Sequence, residues 1–168
     1  SKLGLRNRCI CECLYGMGLR VSELCDLKMG DLSLELGECR VLGKGNKVRI
    51  AVFGEITKQI LQQYFDHVRS GLAVNKVEYV FLNSSGKPLT VRTVQRVVKS
   101  ASIKQGISPP LTPHVLRHCY ASDLYKGGAD ISVIKELLGH DHLATTEIYT
   151  HVANEELQQT MWQSHPRN

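Results

Sequence analysis

The chain has 168 residues, 42% of them hydrophobic and 22% charged, which is enough to bury the core of one domain and too apolar for a disordered chain. No apolar run approaches the ~20 residues of a membrane span and no secretory leader pattern opens the sequence, so the expectation is a cytoplasmic protein with no membrane partner. The net charge is +5, and residues 87–126 carry Lys87, Arg92, Arg96, Lys99, Lys104, Arg117 and Lys126 against Asp123 alone. Such a basic stretch is a footprint for a polyanion, most often nucleic acid, with a solvated basic face as the alternative.

Leu5 to about Gly16 has helical spacing. Val21 to Leu27 makes a second short helix after the turn Gly16-Met17-Gly18, with Ser22 and Glu23 suited to its positive dipole end. Cys39–Leu42 and Val48–Val52 are strand-like runs joined by Gly43-Lys44-Gly45-Asn46-Lys47, a turn that presents Lys44 at its tip. Glu55 to about Arg69 returns to helical spacing, with Ile56, Ile60, Leu61 and Tyr64 on one face. Tyr79–Leu82 reads as a third strand, closed by Asn83-Ser84-Ser85-Gly86.

Thr90–Gln105 is amphipathic, with Val94, Val97, Val98 and Ala101 inward and Arg92, Arg96 and Lys99 outward. Thr112-Pro113 opens a helix that runs through Tyr125 to Gly127-Gly128. Asp130 caps Ile131–Leu138, and Gly139 stops it. A further helix covers about Ala144–His151, and Asn154 opens a last one through Trp162. No repeat or linker interrupts this order. The expectation is one domain over residues 1–168, mixed α+β and mainly α, with a small three-stranded antiparallel sheet. The six cysteines include no CxxC pair, and they read as reduced, mostly buried thiols rather than a disulfide framework or a metal site.

Single residues with chemical potential each have a plainer reading. Arg20 fits a helix cap, and Lys44 a solvated turn. His114 and Arg117, three apart on one helix, share a face as surface pairs do. His140 complements a helix end, and Tyr149 fits a half-buried core aromatic. His114 and His118 stand four apart as zinc pairs do, but Val115 occupies the position of the metalloprotease glutamate, so no metal is expected.

The combination is more specific. Arg20 within Gly-Leu-Arg-Val-Ser-Glu-Leu, Lys44 within Gly-Lys-Gly-Asn-Lys, His114-Val-Leu-Arg117-His118, Leu-Leu-Gly-His140 and Tyr149 nine residues later resemble the tyrosine recombinases, the DNA recombinases that include phage integrases and the bacterial Xer proteins. The resemblance runs from about Leu3 to the ending Ser164-His165-Pro166-Arg167. It implies that Tyr149 attacks the scissile phosphorus and forms a 3′-phosphotyrosyl enzyme. Arg20 and Arg117 would clamp the non-bridging oxygens, and Lys44 would protonate the departing 5′-oxygen. His114 would assist proton removal from Tyr149, and His140 would hydrogen-bond the phosphate. These residue types suit that chemistry. Tyrosine is a weak nucleophile until positioned and deprotonated, and guanidinium forks match phosphate geometry and stay charged. The phosphotyrosine would conserve the bond energy, so no cofactor is expected.

By the same resemblance the helix Thr90–Gln105 lies in the major groove, with Arg92, Arg96 and Lys99 as DNA contacts and Lys47 and Arg49 on backbone phosphates. The compact spacing from Lys44 to His114 and the Ser-His-Pro-Arg ending favour the Xer subgroup, which resolves chromosome or plasmid dimers. An integrase of a phage or conjugative element is the alternative, with a type IB topoisomerase or a non-catalytic DNA-binding module further off. The expected partners are double-stranded DNA, a homo- or hetero-tetramer on synapsed sites, and a DNA translocase or accessory protein, placing the protein at the nucleoid. The family's N-terminal DNA-binding domain is expected to be absent from this chain. Its C-terminal helix docks on a neighbouring protomer, and packing of Asn154–Trp162 on its own domain is the other reading. Met17 and Cys119-Tyr120 depart from the family's usual threonine or alanine and Thr-Phe.

Overall fold

The computed structural model describes residues 1–74, 76–139 and 151–167, and the side chains of 151–154 lie outside that description. Helix α1 (Lys2–Gly16) begins where the Ser1 hydroxyl accepts the Gly4 N–H, and it forms the centre of the domain against α3, α5 and α6. Its buried stripe of Cys9, Ile10, Cys13 and Leu14 is fully excluded from solvent. Helix α2 (Val21–Asp26) follows, then a 3₁₀ turn over Met29–Asp31 and strand β1 (Leu32–Ser33). Strands β2 (Glu38–Leu42) and β3 (Val48–Val52) complete an antiparallel sheet in the order β1-β2-β3.

The hairpin register pairs Val41 with Arg49 and Cys39 with Ala51, which sets Arg49 on the same inward face as those three buried neighbours. The opposite face of β3 carries Ile50 and Val52. Both faces of this strand are therefore covered: Ala51 by a core that includes α1, α3 and α5, and Ile50 and Val52 by a second core from α6, α7 and α8.

Helix α3 (Glu55–Tyr64) buries Ile60, Leu61 and Tyr64, and the helical path continues through a π turn (Phe65–Arg69) into the short α4 (Ser70–Leu72). Helix α5 (Val91–Lys104) is capped by the Thr90 hydroxyl and buries Val94, Val97 and Val98, as its periodicity predicts. Helix α6 (Pro113–Lys126) starts with Thr112 as cap and proline at its first position. Asp130 caps α7 (Ile131–Leu138), and Gly139 ends it at φ 71°, in the left-handed region. Helix α8 spans His151–Ser164. The expected helix over about Ala144–His151 lies mostly outside the described residues.

One expectation is corrected. Tyr79–Leu82 makes only isolated bridges, Lys28 with Tyr79 and Leu82 with Pro88, and Leu32–Ser33 is the third strand of the sheet. Val80, Phe81 and Leu82 are all fully buried, so the segment threads the core rather than presenting two alternating faces. Within the single chain the last helix lies against its own domain. Leu157 and Met161 insert into the second core, while Trp162 stays 48% exposed. Four of the six cysteines are buried, and none is in a disulfide.

Candidate active site

The site is built around a carboxylate that composition and motif spacing did not single out. Glu23 sits at the third position of α2, where its Oε2 accepts the Arg20 backbone N–H at 2.7 Å and closes a capping box. Its Oε1 accepts from the Arg20 guanidinium at 3.1 Å. The same carboxylate pairs with Arg49 at 2.7 Å and lies 3.9 Å from Arg117. Three guanidinium groups thus surround one carboxylate whose side chain is 2% exposed. Burial alone would push the Glu23 carboxyl upward, but the Arg49 charge, the Arg20 N–H and the Arg117 charge bring it below the usual carboxylate range.

Arg117 projects from the second turn of α6 into the same space. It donates to the Gly18 carbonyl and, at 2.5 Å, to the Leu138 carbonyl. Both acceptors belong to glycine-dependent turns. Gly18 has φ 62°, and a Cβ there would stand 2.5 Å from the Tyr120 ring. A Cβ on Gly139 would meet the Arg49 side chain at 2.4 Å. Burial, then the repulsion of Arg49 and Arg20, lowers the Arg117 pKa to about 10, so it stays charged at neutral pH. The cluster therefore holds positive charge that Glu23 alone does not neutralise, in a partly buried setting where an oxyanion would.

Lys44 and His114 stand on elements that border it. Lys44 is exposed on a 3₁₀ turn (Lys44–Asn46) at the hairpin tip, with Gly45 at φ 74°. The turn lies beside the carboxylate, since a Cβ on Gly43 would be 3.8 Å from Glu23 Oε1. His114 is exposed one turn before Arg117 and lines a cleft of about 430 Å³ with Val21, the neighbour of Arg20. His140 and Tyr149 lie outside the described residues. Arg92, Arg96 and Lys99 are exposed along α5, and Lys47 is exposed beyond the hairpin turn.

Arg49 is a different case. It was expected on backbone phosphates, yet it is 4% exposed, pairs with Glu23 and donates to the Leu137 carbonyl at 2.7 Å. The strand alternation that sets it beside Ala51 turns it inward, where it braces the arginine cluster instead of offering its guanidinium to a duplex.

The Phage integrase family matches residues 1–156. The tyrosine recombinase XerD of Listeria innocua is 43% identical over 99% of this chain and 57% of its own length. The XerD of Staphylococcus haemolyticus is 41% identical over 98% of this chain and 56% of its own. This chain thus spans little more than half the length of these relatives. In the solved XerA recombinase, 32% identity accompanies a TM-score of 0.73, covering 97% of this chain and 64% of that one. The XerH site-specific recombinase bound to its difH substrate gives 31% and 0.73, covering 93% and 45%. The match over nearly the whole sequence, on a fold that pairs Arg20 and Arg117 with one buried carboxylate, makes the chain a member of the phage integrase family.

Proposed function

We propose that the chain is the strand-cleaving and strand-joining part of an Xer-type site-specific DNA recombinase. The observation that carries this reading is the Glu23-centred arginine cluster, which holds Arg20 and Arg117 where a phosphodiester anion would balance their charge. In the proposed reaction the Tyr149 oxygen attacks phosphorus as the bond to the 5′-oxygen breaks. The proton of the tyrosine hydroxyl passes toward His114, and Lys44 gives a proton to the departing oxygen. Arg20 and Arg117 hold the two non-bridging oxygens, on which negative charge grows in the transition state, and His140 adds a hydrogen bond there. Attack by a 5′-hydroxyl from another strand reverses each transfer and releases Tyr149. No metal or cofactor enters this scheme.

The Xer subclass is supported over a mobile-element integrase by the relatives. Xer structures share 29–32% identity with this chain, against 24% for a mycobacteriophage integrase and 21–23% for a transposon integrase. On this reading the partners are duplex DNA, a homo- or hetero-tetramer on two synapsed sites, and a DNA translocase or accessory protein, in the cytoplasm at the nucleoid.

The test is covalent trapping on nicked duplexes with randomised sequence around the nick. A denaturant-stable protein–DNA adduct is expected, formed in the presence of chelator and lost in Tyr149→Phe. An adduct that persists in that variant would overturn the assignment of the nucleophile.

A further inference from the structure

The cleft beside His114 contains a residue that the proposed chemistry does not use. Gln95 lies one turn before Lys99 on α5, and both line this cleft of about 430 Å³ together with His114. Its remaining walls are largely apolar, among them Val21, Leu111 and Pro113. Gln95 is exposed, and its amide makes no hydrogen bond to any described residue. At positions 92, 95 and 99 the helix presents Arg92, Gln95 and Lys99 along one face, with Arg96 on the adjoining row. Gln95 is thus the one neutral amide in a basic stripe, set against an apolar wall.

Cations and an amide do different work on a duplex. Lysine and arginine neutralise phosphates with little regard to sequence, whereas a glutamine amide donates and accepts at once and so fits the N6 and N7 atoms of adenine in the major groove. The thymine of the same pair projects a C5-methyl group that an apolar wall accommodates. The cleft offers both features together, flanked by the positive charge that holds a backbone. Resting on the reading of this chain as a DNA recombinase, we propose that Gln95 and the apolar wall of this cleft read one A·T base pair next to the cleaved phosphate. The position follows from the cleft, because His114 lines it and Val21 is joined to Arg20. Gln95 is on this account a specificity-determining residue and takes no part in the bond changes.

The experiment is a binding selection with the full 168-residue chain carrying Tyr149→Phe, so that binding is read without cleavage. Duplexes randomised through the site are enriched, and the bound pool is sequenced. The parent protein is expected to prefer adenine at one position by about 5- to 150-fold, the range of a bidentate base contact. Gln95→Ala should flatten that position alone and leave the salt dependence of binding unchanged. Gln95→Glu should move the preference at the same position toward cytosine, whose N4 donates to a carboxylate. Lys99→Ala should weaken binding to all sequences alike. Parent-like preferences in both Gln95 variants, or a parent protein that binds duplex without any preference there, would overturn the inference and leave the recombinase reading intact. A parent protein that binds no duplex would overturn both.

Discussion

Glu23 shows how a short side chain sets the electrostatics of a whole site. It is the shared counter-ion of Arg20, Arg49 and Arg117, two of which are almost fully buried. Removing it leaves those cations facing each other without a carboxylate, and breaking a buried pair in this way costs about 3–5 kcal/mol. Glu23→Ala is therefore expected to lose stability on that scale in urea denaturation at pH 7, with adduct formation falling as Arg117 loses its bracing. A loss under about 1 kcal/mol would mean that the pair is not the buried contact described above. Because the folded-state pKa of Glu23 is lowered, its contribution is present at neutral pH and disappears as pH falls through that lowered value. Arg20 and Arg117, both paired with Glu23, were legible in the sequence because each stands inside a local signature. Glu23 and Arg49 were not, because their partnership joins a helix start to a strand 26 residues away. Arg20-x-x-Glu23 is visible as a capping pair, but nothing local says that the same carboxylate serves a strand arginine.

At the level of elements, the C-terminal segment is held by a histidine in a neutral socket. His165 is 3% exposed between the rings of Tyr15 and Tyr120, at centroid distances of 4.9 and 5.0 Å. Its Nδ1 accepts the Arg167 N–H at 3.1 Å, and its Nε2 is buried without a partner among the described residues. Burial is the main cause that lowers its pKa to about 4; Asp123 opposes that shift and Arg167 adds to it. The unfolded chain then takes up a proton near pH 6.5 that the folded chain refuses until about pH 4. Stability is accordingly lost across that window as pH falls, by on the order of 3 kcal/mol in total. Urea midpoints at pH 7.5 and pH 4.5 should drop more for the wild type than for His165→Gln. Equal drops would show that the imidazole stays solvated.

The same scale explains the element that the sequence misplaced. Tyr79–Leu82 has strand composition, but three consecutive fully buried residues fit a segment enclosed on every side. Its backbone instead bonds the links next to other elements, with Val80 N–H donating to the Leu27 carbonyl and Leu89 N–H to the Phe81 carbonyl. Helices α5 and α6 were legible to within a residue or two because periodicity and caps agreed; a two-residue β1 offers neither signal.

Across the whole molecule, charge is sorted by depth as well as by sequence. Within the basic stretch at residues 87–126, Arg117 is buried in the site, while Lys87, Arg92, Arg96, Lys99, Lys104 and Lys126 remain exposed. Arg92, Arg96 and Lys99 share the outward side of one helix beside the cleft that His114 lines. If that helix carries the duplex, each phosphate contact releases about 0.9 counterion, and the logarithm of the binding constant falls linearly with the logarithm of salt concentration. Replacing Arg92, Arg96 and Lys99 together by alanine should then make the slope shallower by about 3, measured by fluorescence anisotropy on duplex DNA between 50 and 200 mM salt. Lys58→Ala, on α3, should leave it unchanged. The buried arginines would give a different signature, because Arg117 is fixed by two backbone carbonyls and its removal disturbs the site before any duplex arrives. An unchanged slope in the triple variant would mean that the α5 face is solvated charge and that the duplex lies elsewhere. A slope that falls with full retention of adduct formation on short nicked duplexes would separate holding the DNA from cutting it.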